Sequence, residues 1–327
     1  MKIGLEVIIN NACDKRCKYC YEKNTGDKSL TIDNIDNIVN KFINLDIWNR
    51  HMSFFGGEPT LSLPVIRRAY EKYHNELIFS IITNGYFLNL NVSDYEFMRN
   101  FSSVNISLEG TEKCYNILRN GNNLKEQLKK IIDLGWNNII INISINGYIK
   151  NDIDEFVNNI RYIKDNNLKT HLYMIKGDDF FVDNVDYLTF LKYVKDKDEE
   201  IYNEIIMNDN NVSDTEFLCT FDDKIHINPD GEFIKCARLG EVYDIDLNDI
   251  NLSWVKNIAS NHKSLYEGCS TCEVEIGKCQ TSCPALIKEL LQNNDVDMLN
   301  KLCMREKINN KLRNKEWILW YVMNLEW

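Results

Sequence analysis

Alternation between short β-rich runs and helix-like runs is the feature that most restricts the fold of this chain. Six β-rich runs occur between residues 2 and 175, and each precedes a run with helical character. Parallel strands need long crossover connections, which are usually helices, so this order predicts an α/β fold with a parallel sheet. The predicted strands span residues 2–10, 51–55, 76–83, 102–108, 137–145 and 168–175. The predicted helices span residues 31–45, 63–74, 93–101, 122–135, 152–167 and 185–196.

Local signals mark the ends of several of these helices. Thr31 precedes an apolar stripe at helical spacing and is a plausible N-cap. Pro64 falls in the first turn of the second helix, where its missing N–H costs nothing. Gly135 follows the fourth helix and predicts its end.

Length and charge limit the classes of function. A chain of 327 residues is long enough for two domains, or for one large barrel with an appendage. The formal net charge of −11 argues against nucleic acid as the main partner, because phosphate binding needs a positive surface. The sequence has no apolar run of about 18 residues and no signal peptide, which predicts a cytoplasmic protein without a membrane span. Eleven cysteines in a reducing compartment indicate metal binding or catalysis rather than disulfides.

Three of these cysteines lie in the loop that follows the first predicted strand. Cys13, Cys17 and Cys20 fall within eight residues, so one loop can wrap three thiolates around one metal centre. In a 4Fe–4S cluster, three ligands leave one iron open to an external group. A structural zinc site with a distant fourth ligand is the alternative. Basic residues in the loop are expected to favour thiolate over thiol, and they are Lys15, Arg16 and Lys18.

Four further features follow the C-x-x-x-C-x-Y-C loop in order, three of them at the ends of predicted strands. They are GGEP at 56–59, TNG at 83–85, ISLEG at 106–110, and Arg119 nine residues after Gly110. In GGEP, two glycines are expected to let a ligand approach the backbone, and Glu58 can pair with an ammonium group. Over residues 2–180 the set resembles radical S-adenosylmethionine (SAM) enzymes, although Glu109 stands where that family usually has Asp.

The resemblance implies a partial six-stranded β/α barrel in which SAM binds the open iron. It implies that the cluster cleaves SAM and that the 5′-deoxyadenosyl radical abstracts a hydrogen atom from a substrate. By resemblance, Glu58 meets the methionyl amine, Ser107 the ribose and Arg119 the carboxylate. The full implied SAM pocket is Tyr19, Gly56, Gly57, Glu58, Pro59, Asn84, Ser107, Glu109, Arg119, Asn142, Ser144 and Tyr173. Met174, the next residue on the sixth strand, is an alternative to Tyr173 as a member of this pocket.

A second cysteine set lies between Cys219 and Cys303 and holds seven of the eleven cysteines. Its spacing resembles the SPASM extension of radical SAM enzymes, with a zinc ribbon as the alternative. A hairpin turning at Pro229–Gly231 is expected to bring Cys219 and Cys236 together. The resemblance implies two auxiliary 4Fe–4S clusters, three clusters in all. It assigns Cys219, Cys236 and Cys283 to the inner cluster, and Cys269, Cys272, Cys279 and Cys303 to the outer cluster.

The inner cluster lacks one cysteine that fully ligated SPASM proteins have, and Ser213 lies near that position. Its open iron is expected to bind a substrate group such as a peptide thiolate, or to take Asp209, Asp214 or water. The predicted domains are a barrel at 1–205, an auxiliary-cluster domain at 206–303 and a C-terminal helix at 304–327. That helix carries a possible aromatic docking face, consisting of Trp317, Trp320, Tyr321 and Trp327.

The resemblance implies peptide modification, most simply a thioether or carbon–carbon crosslink in a ribosomally made peptide. The alternatives are a peptide epimerase, a formylglycine-forming sulfatase-maturating enzyme and a non-catalytic iron–sulfur electron carrier. Cys114 is a candidate hydrogen-atom donor for epimerisation, with a structural role as the favoured alternative. The chain starts at the first strand, so peptide recognition is expected from the barrel itself or from a separate protein. A flavodoxin or ferredoxin is the implied electron donor.

Overall fold

The computed structural model describes residues 3–20, 26–44, 48–175, 183–207, 224–234, 242 and 284–313. The chain divides into two compact units. One comprises Met1–Ser144, Asn158–His171 and Phe221–Ser260. The other comprises Ile145–Val157, Leu172–Thr220 and Asn261–Trp327. The predicted domain boundaries remain predictions. The four aromatic residues assigned to the predicted C-terminal helix lie outside the described residues.

The strands form one eight-stranded sheet in the order β6-β5-β4-β3-β2-β1-β7-β8. The pairs from β1 to β5 are parallel, as is β1 with β7, whereas β7 and β8 are antiparallel. This confirms the predicted α/β fold with its parallel sheet. The strands are β1 (Ile3–Asn10), β2 (Trp48–Gly56), β3 (Ile78–Thr83), β4 (Ser103–Glu109), β5 (Ile139–Ile145), β6 (Lys169–Met174), β7 (Lys224–Ile227) and β8 (Phe233–Ile234).

An apolar row crosses five of the parallel strands and forms the centre of the core. Strand register aligns Val7 with Phe54, Phe54 with Ile81, Ile81 with Val104 and Val104 with Ile139. Each of the five side chains is at most 1% exposed. Burying a side chain of this size contributes about 1.5–3 kcal/mol. The row therefore fixes the register that brings the strand ends, and the motifs on them, to one edge of the sheet.

Helices connect the strands and mostly follow the predicted pattern. Helix α1 begins with the predicted Thr31 cap, which forms a reciprocal capping box with Asn34. Gly135, with φ of 61°, follows the end of α5 as predicted. The helices are α1 (Ile32–Phe42), α2 (Leu63–Tyr73), α3 (Val92–Tyr95), α4 (Glu112–Arg119), α5 (Leu124–Asp133), α6 (Ile153–Asp165), α7 (Asn184–Lys197), α8 (Glu199–Met207), α9 (Pro284–Gln292) and α10 (Val296–Arg313).

Three features differ from the sequence prediction. The sequence pattern does not predict helices α4, α8 and α9, because each is only two or three turns long. Helix α10 begins at Val296 rather than at 304, so Cys303 lies inside it. The predicted hairpin is present as β7 and β8, with Gly231 at φ of 83° in its turn. The hairpin also extends the parallel sheet through β1, which the sequence pattern does not indicate.

Buried polar residues surround the pairing of β1 with β7. Glu6 lies opposite His226, and its carboxylate is 3.1 Å from Nδ1 of His226 and 3.6 Å from Nζ of Lys224. Burial lowers the pKa of His226, and nearby Lys224 lowers it further, while Glu6 opposes both effects. Burial, assisted by Lys224, also lowers the pKa of His51, again against Glu6. Burial therefore favours the neutral form of both imidazoles in the folded chain.

This arrangement predicts that stability falls on acidification below the ordinary histidine pKa of about 6.5. The unfolded chain takes up a proton at His226 near that pH, whereas the folded chain does so only at lower pH. The free energy of unfolding should therefore decrease as pH falls, by at most about 1.4 kcal/mol per pH unit for this residue. Urea unfolding between about pH 7.5 and 5.5 measures the slope. His226→Gln should flatten it, and an unchanged slope in this variant would contradict the assignment.

In the second unit, buried polar side chains join α7 to α10. The Arg305 guanidinium lies 3.8 Å from the centre of the Tyr187 ring, and its Nε donates to Oδ1 of Asn184 at 2.8 Å. The Tyr187 hydroxyl and Oδ1 of Asn309 are 3.1 Å apart. These contacts hold the helix that carries Cys303.

Within the residues that the structure describes, no helix is long and apolar enough to cross a membrane.

Candidate cluster and cofactor site

The GGEP segment holds the start of the cysteine loop through backbone contacts. The N–H of Gly57 donates to Asn10 O at 2.9 Å, and that of Glu58 donates to Ala12 O at 2.7 Å. A Cβ on Gly56 would lie 2.3 Å from Asn10 O, and one on Gly57 would lie 2.2 Å from Ala12 O. The sequence predicts that the glycines admit a ligand. In the structure they admit the protein's own backbone, which continues directly into Cys13.

The three cysteines of this loop differ in exposure and in their polar neighbours. Cys13 Sγ accepts from the backbone N–H of Lys15 at 3.4 Å and from Nδ2 of Asn84 at 3.8 Å. Cys17 is half-buried and its Sγ accepts from Nη1 of Arg119 at 3.9 Å. Cys20 is exposed. Sulfur ligands with N–H donors around them fit an iron–sulfur cluster, whose properties depend on such hydrogen bonds.

The loop does not favour thiolate in the way the sequence predicts. Burial raises the pKa of Cys13 to about 11. Burial also raises the pKa of Cys17, with Arg119 as the strongest opposing charge. Arg16 turns away from the sulfurs, and its Nη1 donates to the carbonyl groups of Cys13 and Lys15. Cluster binding must therefore displace protons from thiols.

The three loop sulfurs are not arranged as a site for a single metal ion. Among the described residues, no three His, Cys, Asp or Glu side chains converge closely enough to hold a metal ion, the three loop cysteines included. The donor set fits the cluster by its chemistry and by its position on one loop, and binding would complete its geometry.

The fully buried side chain of Glu58 lies at the centre of a hydrogen-bond network. Its Oε1 accepts from the backbone N–H of Thr60 at 3.0 Å, from the Thr60 hydroxyl, and from the Thr83 hydroxyl at 2.6 Å. Its Oε2 accepts from the backbone N–H of Asn84 at 2.7 Å. Burial raises the pKa of the Glu58 carboxyl, and these four hydrogen bonds oppose that effect. The carboxylate thus joins GGEP to TNG, and its pairing with an ammonium group remains a prediction.

Asn84 extends this network to the cysteine loop. Its Nδ2 donates to Oδ1 of Asp14 at 2.7 Å, in addition to its contact with Cys13. Asn10 reaches the same region from β1, and its Nδ2 donates to Glu58 O at 3.0 Å. Sequence reasoning does not assign roles to Asn10, Asp14 or Thr60. Thr60 carries little usable signal, because the side chain that caps its short 3₁₀ turn is that of Glu58, and glutamate is not among the preferred N-cap residues.

Glu109 is the centre of a second buried network on the other side of the loop. Its Oε1 accepts from the Tyr19 hydroxyl at 2.6 Å and from Nε of Arg119 at 2.8 Å, and its Oε2 accepts from Ser144 Oγ. The Arg119 guanidinium also lies 5.4 Å from the centre of the Tyr19 ring. Burial raises the pKa of Glu109, and the Arg119 charge is the strongest opposing influence. Four predicted SAM-pocket residues are therefore in direct contact.

The remaining pocket candidates are placed less centrally. Ser107 and Asn142 lie opposite each other on β4 and β5, and both are half-buried. Pro59 is buried at the start of a 3₁₀ turn, Pro59–Ser62. Tyr173 and its alternative Met174 are half-buried on β6 and belong to the second unit. Their contacts with SAM remain predictions.

Cys114 is completely buried on α4, and its backbone N–H donates to Thr111 Oγ1 at 3.2 Å. This placement supports a structural role over a hydrogen-atom donor. Of the seven predicted auxiliary-cluster ligands, Cys303 lies in the described part of the chain, where it packs against an apolar cluster on α9 and α10. The other six lie outside the described residues and are Cys219, Cys236, Cys269, Cys272, Cys279 and Cys283.

Comparisons with known proteins bear on the family of this chain and on its fold. Residues 7–163 match the family model of the radical SAM superfamily. The radical SAM cyclopropyl synthase TigE of Paramaledivibacter caminithermalis is 25% identical over 178 residues, which cover 48% of this chain and 37% of TigE. This chain therefore matches little more than a third of that relative's length.

Solved structures share the fold over most of the chain. anSMEcpe with bound AdoMet and Cp18Cys peptide superposes with a TM-score of 0.63 at 16% identity, covering 92% of this chain and 99% of that one. Streptococcus suis SuiB bound to its precursor peptide SuiA superposes with a TM-score of 0.64 at 17% identity. That match covers 88% of this chain and 73% of SuiB.

Proposed function

Since residues 7–163 of this chain form a radical SAM domain, we propose that the protein is an enzyme that cleaves SAM reductively and removes a hydrogen atom from a peptide substrate. When bound, SAM and a 4Fe–4S cluster on Cys13, Cys17 and Cys20 supply the 5′-deoxyadenosyl radical for that step. The observation that carries the proposal is the direct contact between the cysteine loop and the two buried carboxylate networks, centred on Glu58 and Glu109.

The chain's own residues orient the cofactor and keep water away from it. Arg119 is only 7% exposed, and Glu109 fixes its Nε, which aims the guanidinium at the edge of the cysteine loop. A fixed guanidinium suits the SAM carboxylate, because the two groups pair in a planar, bidentate geometry. Tyr19 lies beside this arginine and restricts solvent access. Ser107 and Asn142 lie side by side on the neighbouring strands and would face the ribose.

A peptide is the substrate class that the similar proteins support best. The structures of SuiB and anSMEcpe contain bound peptides, and TigE is named for forming a cyclopropyl group. For this chain we propose an oxidative change in a ribosomally made peptide, such as a thioether or carbon–carbon crosslink. The seven cysteines from Cys219 to Cys303 would hold two auxiliary clusters, and a flavodoxin or ferredoxin would supply electrons. The complete burial of Cys114 disfavours the epimerase alternative, which needs an accessible donor.

The test is mass spectrometry of a candidate precursor peptide encoded beside this protein. Peptide and protein are incubated without oxygen, with SAM and reductant, in heavy water. Loss of two hydrogens together with 5′-deoxyadenosine formation is the expected result. Gain of deuterium without other change would show epimerisation instead. An unmodified peptide with cleaved SAM would overturn the substrate proposal, and intact SAM would overturn the proposed activity and leave an electron carrier.

A further inference from the structure

The buried carboxylate of Glu109 connects three separate elements of the first unit. Tyr19 belongs to the cysteine loop, Arg119 to the last turn of α4, and Ser144 to β5. The Glu109 side chain has no exposed surface. Burial of a carboxylate is costly unless hydrogen bonds and an opposite charge compensate for it. Glu109 has both, so its position is fixed by all three elements at once.

Two further contacts join the same loop to the same helix. The backbone N–H of Lys18 donates to Leu118 O at 2.8 Å, and Nη1 of Arg119 approaches Cys17 Sγ at 3.9 Å. With the Tyr19–Glu109 bond, three consecutive loop residues, 17 to 19, are tied to the end of α4 or to the strand before it. A displacement of Arg119 therefore has to displace the cysteine loop as well.

The length of the Glu109 side chain matters for this arrangement. Glu109 stands where the ISLEG motif, by its resemblance to the radical SAM pattern, is expected to have Asp, and Glu is longer by one methylene group. Oε1 is shared by Tyr19 and Arg119, while Oε2 binds Ser144 on the next strand. A shorter carboxylate anchored at the same backbone position would withdraw from the loop. Glu109→Asp therefore tests whether the length of the side chain matters, because it shortens the side chain and keeps the carboxylate.

We propose that Glu109 is a positioning residue that couples SAM binding at Arg119 to the geometry of the cysteine loop through Tyr19. This inference rests on the proposed function, because it assigns the SAM carboxylate to Arg119. In this role Glu109 acts through Arg119 and Tyr19 rather than on the reacting atoms. Its effect is to hold the arginine and the loop in one arrangement, so that each is already placed when the other binds its ligand.

The first experiment measures SAM binding by the electron paramagnetic resonance spectrum of the reduced cluster. Glu109→Gln, Glu109→Asp and Tyr19→Phe are expected to need about 10-fold more SAM for the half-maximal spectral change, as expected for loss of a buried hydrogen bond to a charged group. Iron content should remain at the wild-type level, since every cysteine ligand is retained. Glu76→Gln, an exposed carboxylate distant in sequence from the motifs, is the control and should match the wild type.

The double variant, Glu109→Gln with Tyr19→Phe, separates coupling from general damage. If the two residues act through one another, the double variant should need no more SAM than the worse single variant. The positioning role would be overturned if the double variant needed more SAM by the product of the two single effects. It would also be overturned if Tyr19→Phe bound SAM as the wild type does. In both cases the proposed function would stand. A wild-type protein whose spectrum does not respond to SAM would overturn both.

A second readout needs neither cluster nor SAM. In the metal-free protein, Tyr19→Phe should increase amide hydrogen exchange at Lys18 about 10-fold, because the loop loses one of its attachments. Tyr19 is half-buried, and the substitution removes only a hydroxyl group, so this variant should fold even where a Glu109 variant does not. Unchanged exchange at Lys18 would contradict the proposal independently of any SAM measurement.

Discussion

Cys17→Ala is expected to abolish SAM cleavage, whereas Cys114→Ala is expected to retain it. The Cys17→Ala variant would lack one of the proposed cluster ligands, which is also the sulfur beside Arg119. Loss of an outer partner of a metal site typically costs about 10- to 100-fold, and loss of a ligand should cost well beyond that. Production of 5′-deoxyadenosine under reducing conditions is the measurement, alongside iron content.

Cys114 is the matched control because it is also a cysteine of the first unit but is completely buried on α4. Its replacement should lower the free energy of unfolding by about 1 kcal/mol, a typical value for a small change in a core. Loss of peptide modification in Cys114→Ala, with SAM cleavage intact, would reinstate it as a hydrogen-atom donor. Full SAM cleavage by Cys17→Ala would contradict the assigned cluster site.

Gly57→Ala is expected to destabilise the fold and to remove the cluster in the same step. The added Cβ would lie 2.2 Å from Ala12 O and 2.7 Å from Ala12 C, both of which are backbone atoms that cannot turn aside. The cysteine loop would have to shift, and two backbone hydrogen bonds to the GGEP segment would be strained. A loss of about 3 kcal/mol or more in the free energy of unfolding is consistent with such overpacking.

Urea unfolding and iron analysis of the purified variant test this prediction. Gly26→Ala is the control, because the nearest atom to a Cβ at that position is 4.0 Å away. It should change stability by no more than about 0.5 kcal/mol and leave iron content unaltered. Wild-type stability and iron content in Gly57→Ala would show that the loop yields at Ala12 without cost, so that the close backbone approach does not require glycine.

The parts of the fold that depend on local pattern were predictable from the sequence. The Thr31 cap requires only a hydroxyl before an apolar stripe, and the strands require only β-rich runs of the right length. The pairing of β7 with β1 was not predictable in this way. It joins Lys224 to Gly4 across a long stretch of chain, and no periodicity within either segment identifies the partner.

The candidate site shows the same division. The family resemblance was enough to predict that Tyr19, Glu109, Arg119 and Ser144 belong to one pocket, and the structure brings them into contact. The hydrogen bonds of Glu58 could not be predicted, because the motif indicates a carboxylate without showing which groups surround it. The predicted direction of the pKa shift of Cys13 was wrong. Burial raises this pKa, the charges of Asp14 and Glu58 raise it further, and the hydrogen bond from the backbone N–H of Lys15 only partly opposes them. Burial is not visible in a short motif.

The contact between the glycine pair and the cysteine loop has an evolutionary consequence. Gly56 and Gly57 are required by the protein's own backbone, so selection would retain them as long as the loop keeps its place. A descendant that had stopped using SAM would still carry the pair until the loop itself degenerated. Residues whose role depends on the cluster, such as the three loop cysteines, would diverge first. Pseudoenzymes derived from this fold should therefore be recognised by those positions rather than by the glycines.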